Sequence, residues 1–237
     1  MTASQPAVPR RSFRESLAEL KSHQKAKRGV SVYSIYVNRP IGSRLAVVAD
    51  TLGLTPNAVT LLSGIVSLVA VALVAFVPPT IESGVVIAFL LALGFALDSA
   101  DGQLARLQGH SSTAGEFLDH MTDLVVKMLL HGAVLVAWFR LGVTGSELLI
   151  PLGFQLVAVM LFFGATLAGK LVVRGEGQSE PTKYRPWILL PADHGAICLS
   201  FLVWGWQSAF LVVYLVLFAA TTLVLGALSR QWMRVLS

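Results

Sequence analysis

A single cysteine, Cys198, among 237 residues excludes an internal disulfide and a cysteine-rich metal centre. Charge is also scarce: Asp, Glu, Lys and Arg make up 13% of the chain, against 55% hydrophobic residues. With a mean hydropathy of +0.71, this balance lies outside the range of soluble globular domains and predicts an integral membrane protein. The N-terminus is basic but has no adjoining apolar h-region, so no cleavable signal peptide is expected. The first spanning helix would then act as the insertion signal. The net charge of +5 reads as orientation and contact with lipid head groups rather than nucleic-acid binding.

What the chain does have is long apolar runs. Six are long enough, or nearly so, for the ~20 residues a spanning helix needs: 56–77, 81–105, 114–138, 146–172, 188–204 and 206–228. The fifth is interrupted by Asp193 and His194. The expected fold is therefore all-α and integral to the membrane, with six transmembrane helices (residues 54–237) behind a cytoplasmic N-terminal arm (residues 1–53). In that arm, Phe13, Leu17 and Leu20 fall at helical spacing among charges, and Ser12 with Glu15 has the form of a capping box. This predicts an amphipathic juxtamembrane helix, with a disordered basic tail as the alternative. A second helix is expected over 40–52, and Thr55 with Pro56 should cap and open the first span.

Nine of the 18 Lys and Arg residues precede residue 56, and Lys170, Arg174, Lys183 and Arg185 cluster between the fourth and fifth runs. By the positive-inside rule both termini, and the bend between the second and third spans, face the cytoplasm of a multi-pass cell-membrane protein.

That bend carries the chemistry. Asp98 and Asp101 are three residues apart and Asp119 and Asp123 four, so each pair shares one helix face. Carboxylates beside apolar spans are costly and usually functional. Four together repel unless cations sit between them. All-oxygen ligands suit a hard ion, Mg²⁺ or Mn²⁺ before Zn²⁺, and two adjacent ions are a device for phosphoryl displacement.

The complete spacing is Asp98-x2-Asp101-Gly102-x2-Ala105-Arg106-x8-Gly115-x3-Asp119-x3-Asp123. It closely resembles the signature of the CDP-alcohol phosphotransferase family, including its phosphatidylinositol-phosphate-synthase-like members, and the likeness extends back to Leu54-Thr55-Pro56-Asn57. The resemblance implies transfer of a phospho-alcohol group, such as phosphatidyl from CDP-diacylglycerol, to a hydroxyl acceptor, with release of CMP. It implies Asp98, Asp101, Asp119 and Asp123 as ligands of two Mg²⁺ ions, with Mn²⁺ as the alternative. Asp123 would also be the base that takes the acceptor proton, although spacing alone does not separate ligand from base. It places Thr55, Pro56, Asn57, Ala58, Gly102, Ala105, Arg106 and Ser112 around the nucleotide, and it implies a homodimer. Arg106 can present a planar fork to the pyrophosphate; a snorkelling helix-end arginine is the alternative.

Two arrangements of substrate fit the motif: a phosphatidyl donor with a polyol or polyol phosphate acceptor, or a soluble CDP-linked head group passed to a lipid. A divalent-cation transporter using the same carboxylates is the competing class, but it gives no reason for the spacing of Gly102, Ala105, Arg106 and Gly115. Arg174, Lys183 and Arg185 are candidate ligands of an acceptor phosphate, against ordinary positive-inside charge. Lys127, one turn beyond Asp123, is expected to pair with it. His131 and His194 read as packed histidines, and His120 as lying on another face from Asp119.

Overall fold

The computed structural model describes residues 12–22, 29–171 and 184–237. Arg174 and Lys183 lie outside them. Among the described residues, all regular structure is helical. α1 spans Phe13–Ser22 and α2 Arg39–Thr51, the latter entered through a π-helical turn over Ser34–Asn38. α3 covers Pro56–Phe76, α4 Ile81–Gln108, α5 Thr113–Arg140 and α6 Leu149–Leu171. The short α7 (Arg185–Ile188) and α8 (His194–Ser200) precede α9, Gln207–Leu236. Among the described residues, five helices are long and apolar enough to cross a membrane: α3, α4, α5, α6 with its preceding turn, and α9.

The boundaries follow local chemistry. Thr55 Oγ1 accepts from the Ala58 amide at 3.3 Å and Pro56 takes the first helical position, so α3 begins where the sequence predicts. Gly109, at φ +66°, ends α4 in the left-handed region that a side chain disfavours. Ser112 then caps α5 by accepting from the Gly115 amide at 3.0 Å. The chain thus reverses within 109–112, and the ends of α4 and α5 that carry the motif face one another.

Within a bilayer, helices associate through close packing rather than through expulsion of water, which favours small interface residues. α3 and α4 pack this way. Ser63, Ser67, Ala70 and Gly64 of α3 are buried, as are Ala88, Gly94, Ala96 and Ala100 of α4. A Cβ on Gly94 would lie only 2.1 Å from Ser67 Oγ. Farther from the motif, Phe201, Trp204, Phe210, Tyr214 and Phe154 build an aromatic core between α5, α6, α9 and the segment before α9.

The fifth apolar run, 188–204, is interrupted at Asp193 and is not one spanning helix. It is broken into α7, a 3-10 turn over Leu190–Ala192, α8 and a second 3-10 turn over Phe201–Val203. The physical reasons are local. Pro186 and Pro191 remove backbone donors. Asp193 adopts an extended conformation and its carboxylate accepts from the Gly195 amide at 2.7 Å, starting a new helix. The same carboxylate accepts from the Ser31 and Ser34 hydroxyls, tying the N-terminal arm to the break.

The arm also differs from the simple lipid-facing helix. Ser12 and Glu15 form the reciprocal capping box, and these hydrogen bonds hold the Glu15 carboxyl below its usual range. Leu20 is buried, with Leu17 against it, in a cluster containing Ala46, Val47, Ala100 and Leu104. Only Phe13 of the apolar stripe stays exposed, at 44%. Two of its three apolar residues therefore face protein.

Candidate active site

α4 supplies Asp98 and Asp101 and α5 supplies Asp119. One oxygen from each lies within 4.8 Å of the other two. Asp101 is almost fully buried, at 4% exposure. It accepts from the Thr60 hydroxyl of α3 and from the Gly102 amide. Asp98 Oδ1 is shut off from solvent and has no hydrogen-bond partner. A buried carboxylate oxygen without a donor is unfavourable unless something else neutralises it. Three converging carboxylates with one such oxygen fit a hard divalent cation, which binds oxygen ligands.

Asp123 is the strongest charged neighbour of Asp98, outside the three residues whose oxygens all lie within 4.8 Å of one another. Its Oδ2 lies 2.8 Å from Lys127 Nζ, the pairing expected from an i,i+4 step. Asp123 thus neighbours the trio through Asp98 while also pairing with Lys127. The Lys127 ammonium is also held 4.7 Å from the ring centre of Phe162 on α6.

Beside the trio opens a cavity of about 510 Å³. Pro56, Asn57, Gly102, Ala105, Arg106 and Ser112, all expected near a nucleotide, line it together with Asp101 and Asp119. Thr55 and Ala58 form the α3 cap instead of the wall. The starts of α3 and α5 both open on the cavity, through Pro56 and Asn57 and through Ser112 and Thr113. Helix starts carry unpaired amides and favour anions. Arg106 adds a guanidinium to the same wall. A Cβ on Gly102 would meet only Arg106 Nη1, at 3.7 Å, so this glycine keeps the cavity open rather than a helix contact tight. Gly115 does the packing: its Cβ would sit 3.1 Å from Asn57 Oδ1.

Sequence reasoning missed several residues here. Thr60, His110, Glu116 and His120 line the cavity. Thr60 lies one turn beyond Pro56, and that register was its one available signal. His120 was expected on another face from Asp119. Instead its ring nitrogens lie 3.8 Å from Glu116 Oε1 and 3.9 Å from Asp119 Oδ2. Lys170, at the end of α6, donates to Glu116 at 2.6 Å, bringing the basic end of α6 to the motif bend. Arg185 donates to Gln231 of α9 at 3.3 Å, away from the carboxylates' own hydrogen bonds. His131 is buried, with Nδ1 2.7 Å from the Tyr214 hydroxyl, a packed histidine as expected.

Fold and site together define a helical membrane protein with a cation-competent, anion-attracting cleft at one end of the bundle. The CDP-alcohol phosphatidyltransferase family model matches residues 53–230, and the chain belongs to that family. It is therefore a CDP-alcohol phosphotransferase. An archaetidylinositol phosphate synthase from Pyrococcus horikoshii is 32% identical over 143 residues, covering 59% of this chain and 73% of that protein. The fold is similar to that of the Mycobacterium tuberculosis phosphatidylinositol phosphate synthase with CDP-DAG bound, with a TM-score of 0.56, 21% identity and coverage of 83% of this chain and 93% of that one. The same enzyme in complex with manganese and citrate also matches, with a TM-score of 0.56, 21% identity and coverage of 81% and 88%.

Proposed function

We propose that this protein transfers a phosphatidyl group from CDP-diacylglycerol to a hydroxyl of a polyol phosphate, releasing CMP, in phospholipid synthesis. The observation that carries this reading is that Asp101 and Asp119 of the carboxylate trio line a cavity walled by two helix starts and Arg106. That wall suits a pyrophosphate. The names of the relatives point the same way.

Asp98, Asp101 and Asp119 would hold Mg²⁺, or Mn²⁺, with Asp123 completing a second ion's ligands. Such ions, when bound, neutralise phosphate charge and stabilise the departing oxygen. The protein's own groups do the rest. Arg106 and the α3 and α5 amides grip the pyrophosphate. Thr60 and the Gly102 amide fix the Asp101 carboxylate. Asp123 accepts the acceptor's hydroxyl proton as that oxygen bonds to the alcohol-side phosphorus and the bond to CMP breaks. Arg185, with Arg174 and Lys183 beyond the described residues, would bind the acceptor's phosphate. Arg185 fits this role because it starts the segment that leads to Pro191 and Asp193 at the wall of a second cavity.

The layout proposed is six crossings behind an arm of residues 1–53, with termini and cleft cytoplasmic. The broken segment supports a sixth crossing. It begins near Gln231, late in α9, and ends at Gly205, whose Cβ would meet the Ile81 amide nitrogen at 2.5 Å at the opposite end of α4. A homodimer is proposed as well; its test is the mass of the detergent-solubilised protein. Family membership leaves the cation-transporter alternative unsupported.

The test is incubation with CDP-diacylglycerol and a panel of polyols and polyol phosphates, reading CMP and lipid product. Turnover confined to phosphorylated acceptors is expected. Equal use of unphosphorylated polyols would refute the phosphate site. Transfer only from soluble CDP-linked head groups to lipid would replace the donor assignment.

A further inference from the structure

α3, α4 and α5 wall the cavity of about 510 Å³, and the N-terminal arm lies against the motif helix beside it. Tyr33 stacks on Phe95 of α4, with ring centres 6.2 Å apart and planes within 9°. Farther along, α2 presses onto α4: a Cβ on Gly42 would sit 2.8 Å from Ser99 Oγ and 2.9 Å from Gln103 Nε2. Gln103 is buried. Its Oε1 accepts from the Ser43 hydroxyl at 2.6 Å, and its Nε2 donates to the Arg39 carbonyl at 3.2 Å. These bonds set Arg39, the first residue of α2, at the motif end of α4.

Phe95, Gly102 and Arg106 lie along one stripe of α4, in steps of seven and four residues. The arm covers that stripe at Phe95. At its other end, Arg39 is the strongest charged neighbour of Arg106, ahead of Asp101. Both arginines are half-buried, so their fields are screened less than those of exposed charges. Gly102 lies between, and the space over it is open apart from Arg106 Nη1. Arg106 lines the cavity and Arg39 stands beside it, so an anion drawn to Arg106 is attracted by both. Arg44, farther along α2, gives the contrast. It is exposed, and its Nη1 donates to the Pro40 carbonyl of its own helix at 2.9 Å.

We infer that Arg39 is a second cationic residue of the pyrophosphate site: from the N-terminal arm it acts with Arg106 to draw the donor's pyrophosphate to the opening at Gly102. Gln103 and Ser43 are the bonds that hold α2, and Arg39 with it, against the motif helix. The arm is then part of the donor site as well as a membrane-surface element. This rests on the reading of the donor as a CDP-linked alcohol, whatever alcohol it carries.

The experiment uses the full-length protein with Arg39→Gln, Arg39→Lys and Arg44→Gln, in neutral detergent micelles and again with anionic phospholipid added. CDP-diacylglycerol and a polyol phosphate are varied in turn. Arg39→Gln should raise donor KM about tenfold or more in both media, with acceptor KM within about twofold of wild type. Arg39→Lys should recover part of the loss, since it keeps the charge and loses the planar fork. Arg44→Gln should stay within about twofold of wild type for both substrates. An unchanged donor KM in Arg39→Gln would overturn the inference. So would a defect confined to the medium with anionic phospholipid, which marks a contact with lipid head groups. A parallel rise in acceptor KM, or no recovery by Arg39→Lys, marks a structural role only and also overturns it. If the wild type instead uses a soluble CDP-linked alcohol, the phosphatidyl-donor reading fails by itself. The same comparison of variants is then made with that donor, which carries the same pyrophosphate, and the same outcomes decide it.

Discussion

The Thr60 hydroxyl of α3 donates to the buried Asp101 carboxylate of α4, while Thr60 Oγ1 also lies 3.1 Å from the Pro56 carbonyl of its own helix. This bond ties the helix whose start lines the 510 Å³ cavity to the helix that carries the first carboxylate pair. A hydrogen bond to a buried charged group contributes about 1.5–3 kcal/mol, and deleting the donor leaves the carboxylate undersatisfied. Thr60→Val should therefore lower stability by about 2 kcal/mol in the absence of divalent ions, while Thr60→Ser should retain most of it. Thermal unfolding in detergent with EDTA measures this. An unchanged midpoint for Thr60→Val would show that the bond contributes nothing.

The roles proposed for the four carboxylates predict two classes of variant. Asp98→Asn and Asp101→Asn should weaken Mg²⁺-dependent binding of CDP-diacylglycerol by about tenfold or more, since each removes a charged ligand from the trio. Asp123→Asn should abolish transfer and leave most of that binding in place. Titration of donor binding against Mg²⁺ separates the two. Equal losses in all three variants would mean that Asp123 belongs with the trio.

Much of this was legible in the chain. The first four and the last apolar runs became helices at nearly their expected positions, because span length is fixed by bilayer thickness and shows in composition. The motif register was legible because helix geometry turns steps of three and four into a shared face. The Asp123–Lys127 pair was legible for the same reason. At 186–194 the interruption by Asp193 and His194 was legible, but not its extent. Its residues are apolar enough to pass as a span, and the bonds that stabilise it, from Ser31 and Ser34 to Asp193, join positions more than 150 residues apart. Thr60, Glu116 and His120 were missed because their places in the site depend on how α3, α4 and α5 cross. The inward turn of Leu17 and Leu20 was hidden similarly, since helical periodicity gives the apolar face but not what covers it.

Arg106 stands on the cavity wall with the helix starts, so its removal should act on the donor. Arg106→Ala should raise the KM for CDP-diacylglycerol about tenfold or more, and Arg106→Lys should recover only part of it, because a lysine cannot make the bidentate contact. Acceptor KM should change little. Steady-state kinetics with each substrate varied in turn checks this. A selective rise in acceptor KM would move Arg106 to the other substrate.

Thr80 caps the start of α4 and Ser111 follows its end. The 28 residues between those ends extend about 42 Å at ~1.5 Å each, more than the ~30 Å hydrocarbon core. Cysteines at these two positions, in a Cys198→Ser background, should react with a membrane-impermeant thiol reagent from opposite sides, Ser111→Cys from the cytoplasm. Labelling of both from one side would contradict the topology.

The central claim is that the cleft moves a phosphatidyl group from CDP-diacylglycerol to a hydroxyl acceptor in a divalent-ion-dependent reaction. The most direct measurement is the stoichiometry of CMP and new phospholipid formed from CDP-diacylglycerol and inositol phosphate, with EDTA and then with Mg²⁺ restored. One CMP per phospholipid, no product in EDTA and recovery on adding Mg²⁺ are expected. CMP release without a lipid product, or undiminished transfer in EDTA, would contradict it.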